Sequence, residues 1–196
     1  MNENHAKLCP SPEWAAWLQG DILPVLAAQA DLGDEMLEVG PGPGAATSWL
    51  QDKVKRLVAL ESDEQAATAL AGKYADTNVE VLTGDATAMS FPDESFDSAG
   101  SFTMLHHVPT AAAQDRLLAE VLRVLRPGGV LIGSDSLASN GLHHFHEGDV
   151  YNPVEPAAFL TRLRTLGFGK VIIGVDDALT FVAHKPVPGA TECGEP

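Results

Sequence analysis

The stretch Glu35-Met36-Leu37-Glu38-Val39-Gly40-Pro41-Gly42-Pro43-Gly44-Ala45-Ala46 decides the fold. A short apolar run meets a loop with glycine at every second position, and an alanine-rich segment of helical composition follows. The order is strand, tight turn, helix N-terminus, the opening unit of many nucleotide-binding α/β sheets. Glycine suits the turn because, lacking Cβ, it accepts positive φ and lets a ligand lie against the backbone.

The spacing alone admits two kinds of ligand. Gly40-x-Gly42-x-x-Ala45 fits a dinucleotide fingerprint, and Glu61 stands at about the distance expected of a ribose-binding acid. A dinucleotide, however, rests its pyrophosphate on backbone N–H groups at a helix N-terminus. Pro41 and Pro43 each delete an N–H, and Glu38 sets a negative charge just before the loop. An acid there suits a cationic ligand.

Outward from this unit, short apolar runs alternate with helical patterns. Upstream, Ser11-Pro12-Glu13 reads as a helix start, with a serine cap, proline at the first position and an acid in the first turn. Trp14, Trp17 and Leu18 fall on one face of that helix, and Gly20 and Pro24 divide it into two pieces. Downstream, a helix is predicted over 45–53, a second strand over 56–60, a helix over 64–74 and a third strand over 79–82. A fourth strand over 96–101 carries small residues, Ser98-Ala99-Gly100, where bulkier ones are usual. Thr110 starts a helix that Pro127-Gly128-Gly129 stops, and a fifth strand covers 130–134. Residues 135–151 have no clear period and read as a long loop holding His143, His144 and His146. A helix opened by Glu155-Pro156 and closed by Gly167 leads to two apolar runs joined by Asp176-Asp177, which suits a β-hairpin. The tail, 186–196, is rich in proline and glycine and is predicted to be disordered.

This alternation predicts a mostly parallel sheet covered on both faces and ending in an antiparallel pair. Ligands of such sheets lie beyond the carboxyl ends of the strands, where Glu38, Glu61, Asp85 and Ser101 all stand. The 196 residues, 45% of them hydrophobic, suffice for one domain with a sizeable core. A net charge of -15 argues against nucleic-acid and anionic-membrane partners, since phosphate binding needs a basic surface. Cys9 and Cys193, near opposite ends, make neither a metal spacing nor a disulfide framework, which fits a reducing cytoplasm. Residues 1–10 lack the apolar core of a signal peptide, and no apolar run approaches membrane-spanning length.

Glu38-x-Gly40-x-Gly42-x-Gly44 closely resembles the first motif of the class I S-adenosylmethionine-dependent methyltransferases, and the resemblance extends from Trp14 to Lys185. It implies a Rossmann-like, doubly wound sheet of seven strands, mostly parallel with an antiparallel C-terminal hairpin. It also implies a single domain over 1–185, with 11–30 as an N-terminal helical cap. The implied cofactor, S-adenosylmethionine, carries a sulfonium and an ammonium and no phosphate, in keeping with Glu38. Glu61, followed by Ser62, matches the family acid that binds the ribose hydroxyls, and Asp85 with Ala86 matches the residue that hydrogen-bonds the adenine amino group. Phe96-Asp97, Leu105-His106-His107-Val108 and Leu125-Arg126-Pro127-Gly128-Gly129 resemble segments of the branch that acts on small molecules. Ser101 and His106 are accordingly expected at the cofactor. Ser98-Ala99-Gly100 departs from the family's bulky strand and implies a thinner core there.

The implied reaction is methyl transfer to a small-molecule acceptor, with neither nucleic acid nor membrane as partner. The sulfonium is already activated, so catalysis consists largely of placing the acceptor in line and desolvating it. A neutral hydroxyl acceptor also needs a base, and histidine titrates near operating pH. His106, His107, His143, His144 and His146 are the candidate bases, with His107, His144 and His146 taken as the catalytic set. His106 and His107 also have a structural reading, one packing and the other touching the cofactor. Trp14, Trp17, His143 and Tyr151 are candidate substrate contacts, although the tryptophans equally suit a role covering the sheet. His144, His146, Glu147 and Asp149 are competent metal ligands. Neighbouring loop residues rarely converge on one ion without a scaffold, so no metal site is expected. The competing functions are a nicotinamide-dependent reductase and a non-catalytic cofactor-binding protein on the same fold. The first lacks a tyrosine-lysine pair near the fourth strand, and an absent acceptor pocket would favour the second.

Overall fold

The apolar run after Gly33 becomes strand β1 (Glu35–Val39), in the middle of the sheet. Among the described residues, 8–189 of this computed structural model, six more strands join it. They are β2 (Arg56–Glu61), β3 (Val79–Thr83), β4 (Phe96–Phe102), β5 (Leu125–Asp135), β6 (Val171–Val175) and β7 (Leu179–His184). Their order is β3-β2-β1-β4-β5-β7-β6. The first five are mutually parallel, and β7 inserts antiparallel between β5 and β6. The predicted seven-stranded, doubly wound sheet with its closing hairpin is therefore what the chain forms. Strand β1 pairs with both β2 and β4, so the order reverses there and a crevice opens at the carboxyl ends.

The helices are α1 (Pro12–Trp17), α2 (Leu23–Ala27), α3 (Thr47–Leu50), α4 (Glu64–Lys73), α5 (Ala111–Val124), α6 (Asn140–Phe145) and α7 (Pro156–Leu166). Polar caps set their starts. Ser11 accepts from the Trp14 amide, Asp63 from Ala66 and Thr110 from Ala113. Gly167, with φ 111°, closes α7 in the left-handed conformation that glycine tolerates. The predicted break near Gly20 and Pro24 is a π-helical turn, Leu18–Ile22, between α1 and α2.

Successive residues of each central strand serve opposite faces, and both faces are apolar, as a covered parallel sheet requires. Leu37, Val39, Val58, Leu60 and Leu131 pack with Leu117 and Val121 of α5 and with Phe159 and Leu163 of α7. On the other face Met36, Leu57, Ala59 and Ile132 meet Leu18, Leu23 and Leu26 from the N-terminal helices and Leu50 and Leu70.

Four local expectations are corrected. The helix over 45–53 shrinks to the four residues of α3, because Gly44 has φ +83° and the chain around it is wound in turns, with Gly44 N–H bonded to Pro41 O at 3.0 Å. The unperiodic loop contains α6, capped by Ser139, whose Oγ accepts from the Leu142 amide at 3.1 Å. Six residues are too few for an apolar period to show. Pro127-Gly128-Gly129 lies within β5 rather than before it, where pairing with β4 begins at Phe96–Leu125 and shifts register before Ser98. The small residues of β4 do not thin the core. A Cβ on Gly100 would lie 2.7 Å from the Phe102 ring and 2.8 Å from Met36 Cε, so large neighbours already fill that volume. The predicted disordered tail lies mostly outside the described residues, as does Cys193.

Candidate active site

The glycine loop is built on three left-handed residues, Gly40, Gly42 and Gly44, at φ 67°, 53° and 83°. Two of them are needed for packing as well. A Cβ on Gly40 would lie 2.3 Å from Met104 Cγ, and one on Gly44 would lie 2.6 Å from Leu70 Cδ1. At Gly42 a Cβ would meet nothing within 4 Å, so the loop's middle faces open space. This is the close-approach surface expected for a ligand.

Two acids frame the loop. Glu38 is 2% exposed and accepts a hydrogen bond from Thr47 Oγ1 at 2.6 Å. Burial pushes its carboxyl up to about 7; the Thr47 bond opposes this and the nearby Glu61 charge adds to it. A buried acid at this position is suited to a cation that would restore its charge. Glu61, also buried, accepts from the Gly42 amide at 3.1 Å through Oε2, and from the Ser62 and Asp63 amides at 2.8 and 3.0 Å through Oε1. It thereby ties the loop to the end of β2 as well as facing the crevice. Asp85 stands at the end of the neighbouring β3, where Gly84 N–H bonds Glu61 O at 2.9 Å. Asp85 is exposed, and the hydrogen bonds from Thr87 hold its carboxyl below the usual range; Ala86 beside it is half-buried. Ser101, on β4 beside Val39, is buried and its Oγ lacks a protein partner. An orphan hydroxyl in such a position suits a bound polar group. These features fit a small cationic nucleoside better than a pyrophosphate.

Thr103 follows β4 with φ +52°, a strained conformation for a non-glycine residue and one that clusters at functional sites. It is also where the glycine loop meets a second feature, for the next side chain, Met104, packs on Gly40. Thr103 lines a cavity of about 520 Å³ whose walls include Trp14, Trp17, Asp135, Leu137 and Leu142. The tryptophan rings lie 4.9 Å apart and line it from the N-terminal side, and Trp17 packs against the core as well, so both readings keep a structural basis. Gln19 anchors this helical region over the crevice, its Nε2 donating to Ala45 O and Ser48 Oγ, both at 2.8 Å.

Behind the Asp135 wall stands a histidine cluster. His106 is buried, its Nδ1 is hydrogen-bonded to Asp135 Oδ1, and its amide donates to Asp135 Oδ2 at 3.1 Å. Its ring lies 4.1 Å from His107 and 4.9 Å from His146. His146 is buried too; burial lowers its pKa, and its Nδ1 donates to Leu142 O at 2.6 Å. The Tyr151 ring stacks on His146 at 4.4 Å, with its buried hydroxyl lacking a protein partner. Asn152 holds this segment against β4's exit, its amide donating to His106 O at 2.7 Å and its Nδ2 to Val108 O at 3.0 Å.

The fold therefore brings His107, His146, His106 and Tyr151 together and leaves two expected residues aside. His144 is exposed and paired with Glu147 at 2.7 Å, so it stands apart from the cluster. His143 is exposed, though its ring reaches within 6.0 Å of Tyr151. Asp135, Gln19, Thr47 and Asn152 are site residues that sequence reasoning missed. Asp135 alone left a signal, as an acid at the end of the fifth strand matching Glu38, Glu61 and Asp85 on theirs.

Comparisons with known proteins agree with this geometry. Residues 37–133 match a family described as a methyltransferase domain. The fatty-acid O-methyltransferase of Mycolicibacterium smegmatis is 34% identical over 168 residues, covering 83% of this chain and 58% of that protein. The demethylmenaquinone methyltransferase of Renibacterium salmoninarum is 34% identical over 110 residues, 56% of this chain and 44% of that one. The chain thus spans about half the length of the curated relatives it matches. A methyltransferase structure from Aquifex aeolicus shares the fold, with a TM-score of 0.73 at 19% identity over 94% of this chain and 98% of that one. With its first motif, its strand order and its relatives in agreement, the chain belongs to the class I S-adenosylmethionine-dependent methyltransferases.

Proposed function

We propose that this protein methylates a hydroxyl group on a small, mainly apolar molecule held in the cavity beneath Trp14 and Trp17. The observation that carries this reading is the cavity itself. Its volume of about 520 Å³ is that of a small-molecule site, and Thr103 and Met104 join it to the glycine loop. When bound, S-adenosylmethionine supplies a methyl group already activated on sulfonium. Glu38 and the open face at Gly42 would hold that cofactor, with Glu61 and Asp85 toward its nucleoside end and Ser101 and His106 flanking it.

The protein's own contribution is placement and exclusion of water. Trp14, Trp17, Leu137 and Leu142 offer apolar walls, while Thr103, Ser136 and Ser139 offer polar contacts for a head group. Asp135 and Asp177 place two carboxylates in the same wall, which disfavours an anionic acceptor and leaves a hydroxyl as the better nucleophile. The hydroxyl's proton passes to the Asp135 carboxylate in the cavity wall, with His107 and His146 behind it. A net charge of -15 supports a small molecule over nucleic acid. The cysteine usage supports a cytoplasmic setting, and no helix among the described residues is long and apolar enough to cross a membrane.

Radiolabelled S-adenosylmethionine, offered with matched panels of apolar alcohols and carboxylic acids, tests the proposal. Label should enter alcohols, and Trp17→Ala should raise KM for the best one at least tenfold without changing S-adenosylhomocysteine affinity. Labelling of acids only, or an unchanged KM in Trp17→Ala, would overturn it.

A further inference from the structure

His106 and His107 leave β4, and His146 follows α6, yet their rings meet beside the cavity. We propose that these three histidines form a binding site for one divalent transition-metal ion of the zinc class. One nitrogen from each lies within 4.8 Å of the others. Tetrahedral Zn–N bonds of about 2.0–2.1 Å place ligand nitrogens roughly 3.3 Å apart. Binding an ion would draw the three rings together by small shifts that keep the Nδ1 hydrogen bonds of His106 and His146.

Ring orientation argues most strongly for the site. A metal-bound histidine characteristically donates its other ring N–H to a carboxylate or a backbone carbonyl, which fixes the tautomer and aims the lone pair. Both arrangements occur here. His106 Nδ1 is bonded to the buried Asp135 carboxylate, and His146 Nδ1 donates to Leu142 O at 2.6 Å. Each bond sets the tautomer that carries its proton on Nδ1. The carboxylates of Asp135 and Asp149 both act on His146, and so supply negative charge around a dication. The Tyr151 hydroxyl, buried without a protein partner in a ring stacked on His146, is a polar group in want of a ligand at the same place.

Three imidazoles suit zinc, cobalt, iron or nickel rather than magnesium or calcium, which prefer oxygen. Three protein ligands leave a fourth position open. The site shares a wall with the cavity, because Asp135 and Leu142, which orient two of its rings, also line that cavity. The proposal does not depend on which acceptor the cavity takes.

The full chain, stripped with chelator and reloaded with cobalt(II), provides the test. Wild type and His144→Ala should each bind one ion, with the visible absorption of low-symmetry cobalt, and zinc should raise their Tm. His107→Ala and His146→Ala should bind at least 100-fold more weakly and lose the zinc-dependent rise in Tm. If His146→Ala does not fold, the half-buried His107 still decides the matter. Absence of stoichiometric binding to wild type would reduce the cluster to a stack of packed rings. Binding that survives in His107→Ala but vanishes in His144→Ala would move the ion to the exposed His144–Glu147 pair. Either result overturns the proposal.

Discussion

Thr47 donates a 2.6 Å hydrogen bond to a carboxyl of Glu38 that has been taken wholly out of water. The pair joins the end of β1 to α3 beneath the glycine loop, and at the proposed cofactor site it should make binding sensitive to pH. In the ligand-free protein burial raises the Glu38 carboxyl from an ordinary 4.5 to about 7. A raised value means that Glu38's contribution to ligand-free stability is complete below pH 4.5 and is lost as pH rises through about 7. The ammonium group of S-adenosylhomocysteine, set against Glu38, would reverse the preference and expel the proton. Affinity for S-adenosylhomocysteine should therefore climb by up to about tenfold per pH unit between 5 and 7 and level off above. Calorimetry at pH 6 in two buffers of different ionisation enthalpy should register proton release, and Glu38→Gln should abolish it. A wild-type affinity that is flat across this range would separate Glu38 from the cofactor.

Gly42 and Gly44 should fail differently when given a methyl group. At Gly44 the new Cβ would lie 2.6 Å from Leu70 Cδ1 and 3.3 Å from the Tyr74 ring. Gly44→Ala should lose about 2–4 kcal/mol of stability through overpacking and left-handed strain together. At Gly42 the strain of φ 53° remains, but the methyl group meets no protein atom. Gly42→Ala should lose only about 1–2 kcal/mol while weakening S-adenosylhomocysteine at least tenfold. Urea unfolding beside a binding titration separates the two effects, and normal binding by a folded Gly42→Ala would contradict the assignment of this surface.

Asp97 is a structural counterpart to these site acids. Its Oδ2 accepts from the Asp34 and Glu35 amides at 3.0 and 2.9 Å, and its Oδ1 pairs with Arg126. Burial pushes the carboxyl up, but the Arg126 guanidinium and the two amides outweigh it and hold the value below the ordinary 3.8. A lowered value means that the stabilisation is present above pH 3.8 and is lost as pH falls through the folded-state value. Asp97→Asn should cost about 1–3 kcal/mol at pH 7, and the gap between variant and wild type should narrow below pH 4. Equal urea midpoints at pH 7 would show that the carboxylate does not hold the start of β1.

Sequence by itself determined the sheet, the glycine loop and the acids at the strand ends. Alternating apolar runs and helical periods are local, and so are caps such as Ser11, Asp63 and Thr110, because each acts within about one turn of chain. Glu38, Gly40, Gly42 and Gly44 are legible for the same reason, lying within seven consecutive residues.

Tertiary structure alone decided which residues meet beyond that range. His106 and Asp135 are 29 positions apart, and their pairing depends on β4 lying beside β5. Gln19 reaches Ala45 across 26 positions. His144 and His146 look equivalent in the sequence, yet residues two apart on a helical turn point about 200° away from each other. Packing against His106 and Tyr151 selects His146 and leaves His144 to solvent with Glu147. Local pattern specifies elements and their ends, whereas the choice of side chain that turns inward is made by the neighbour it finds there.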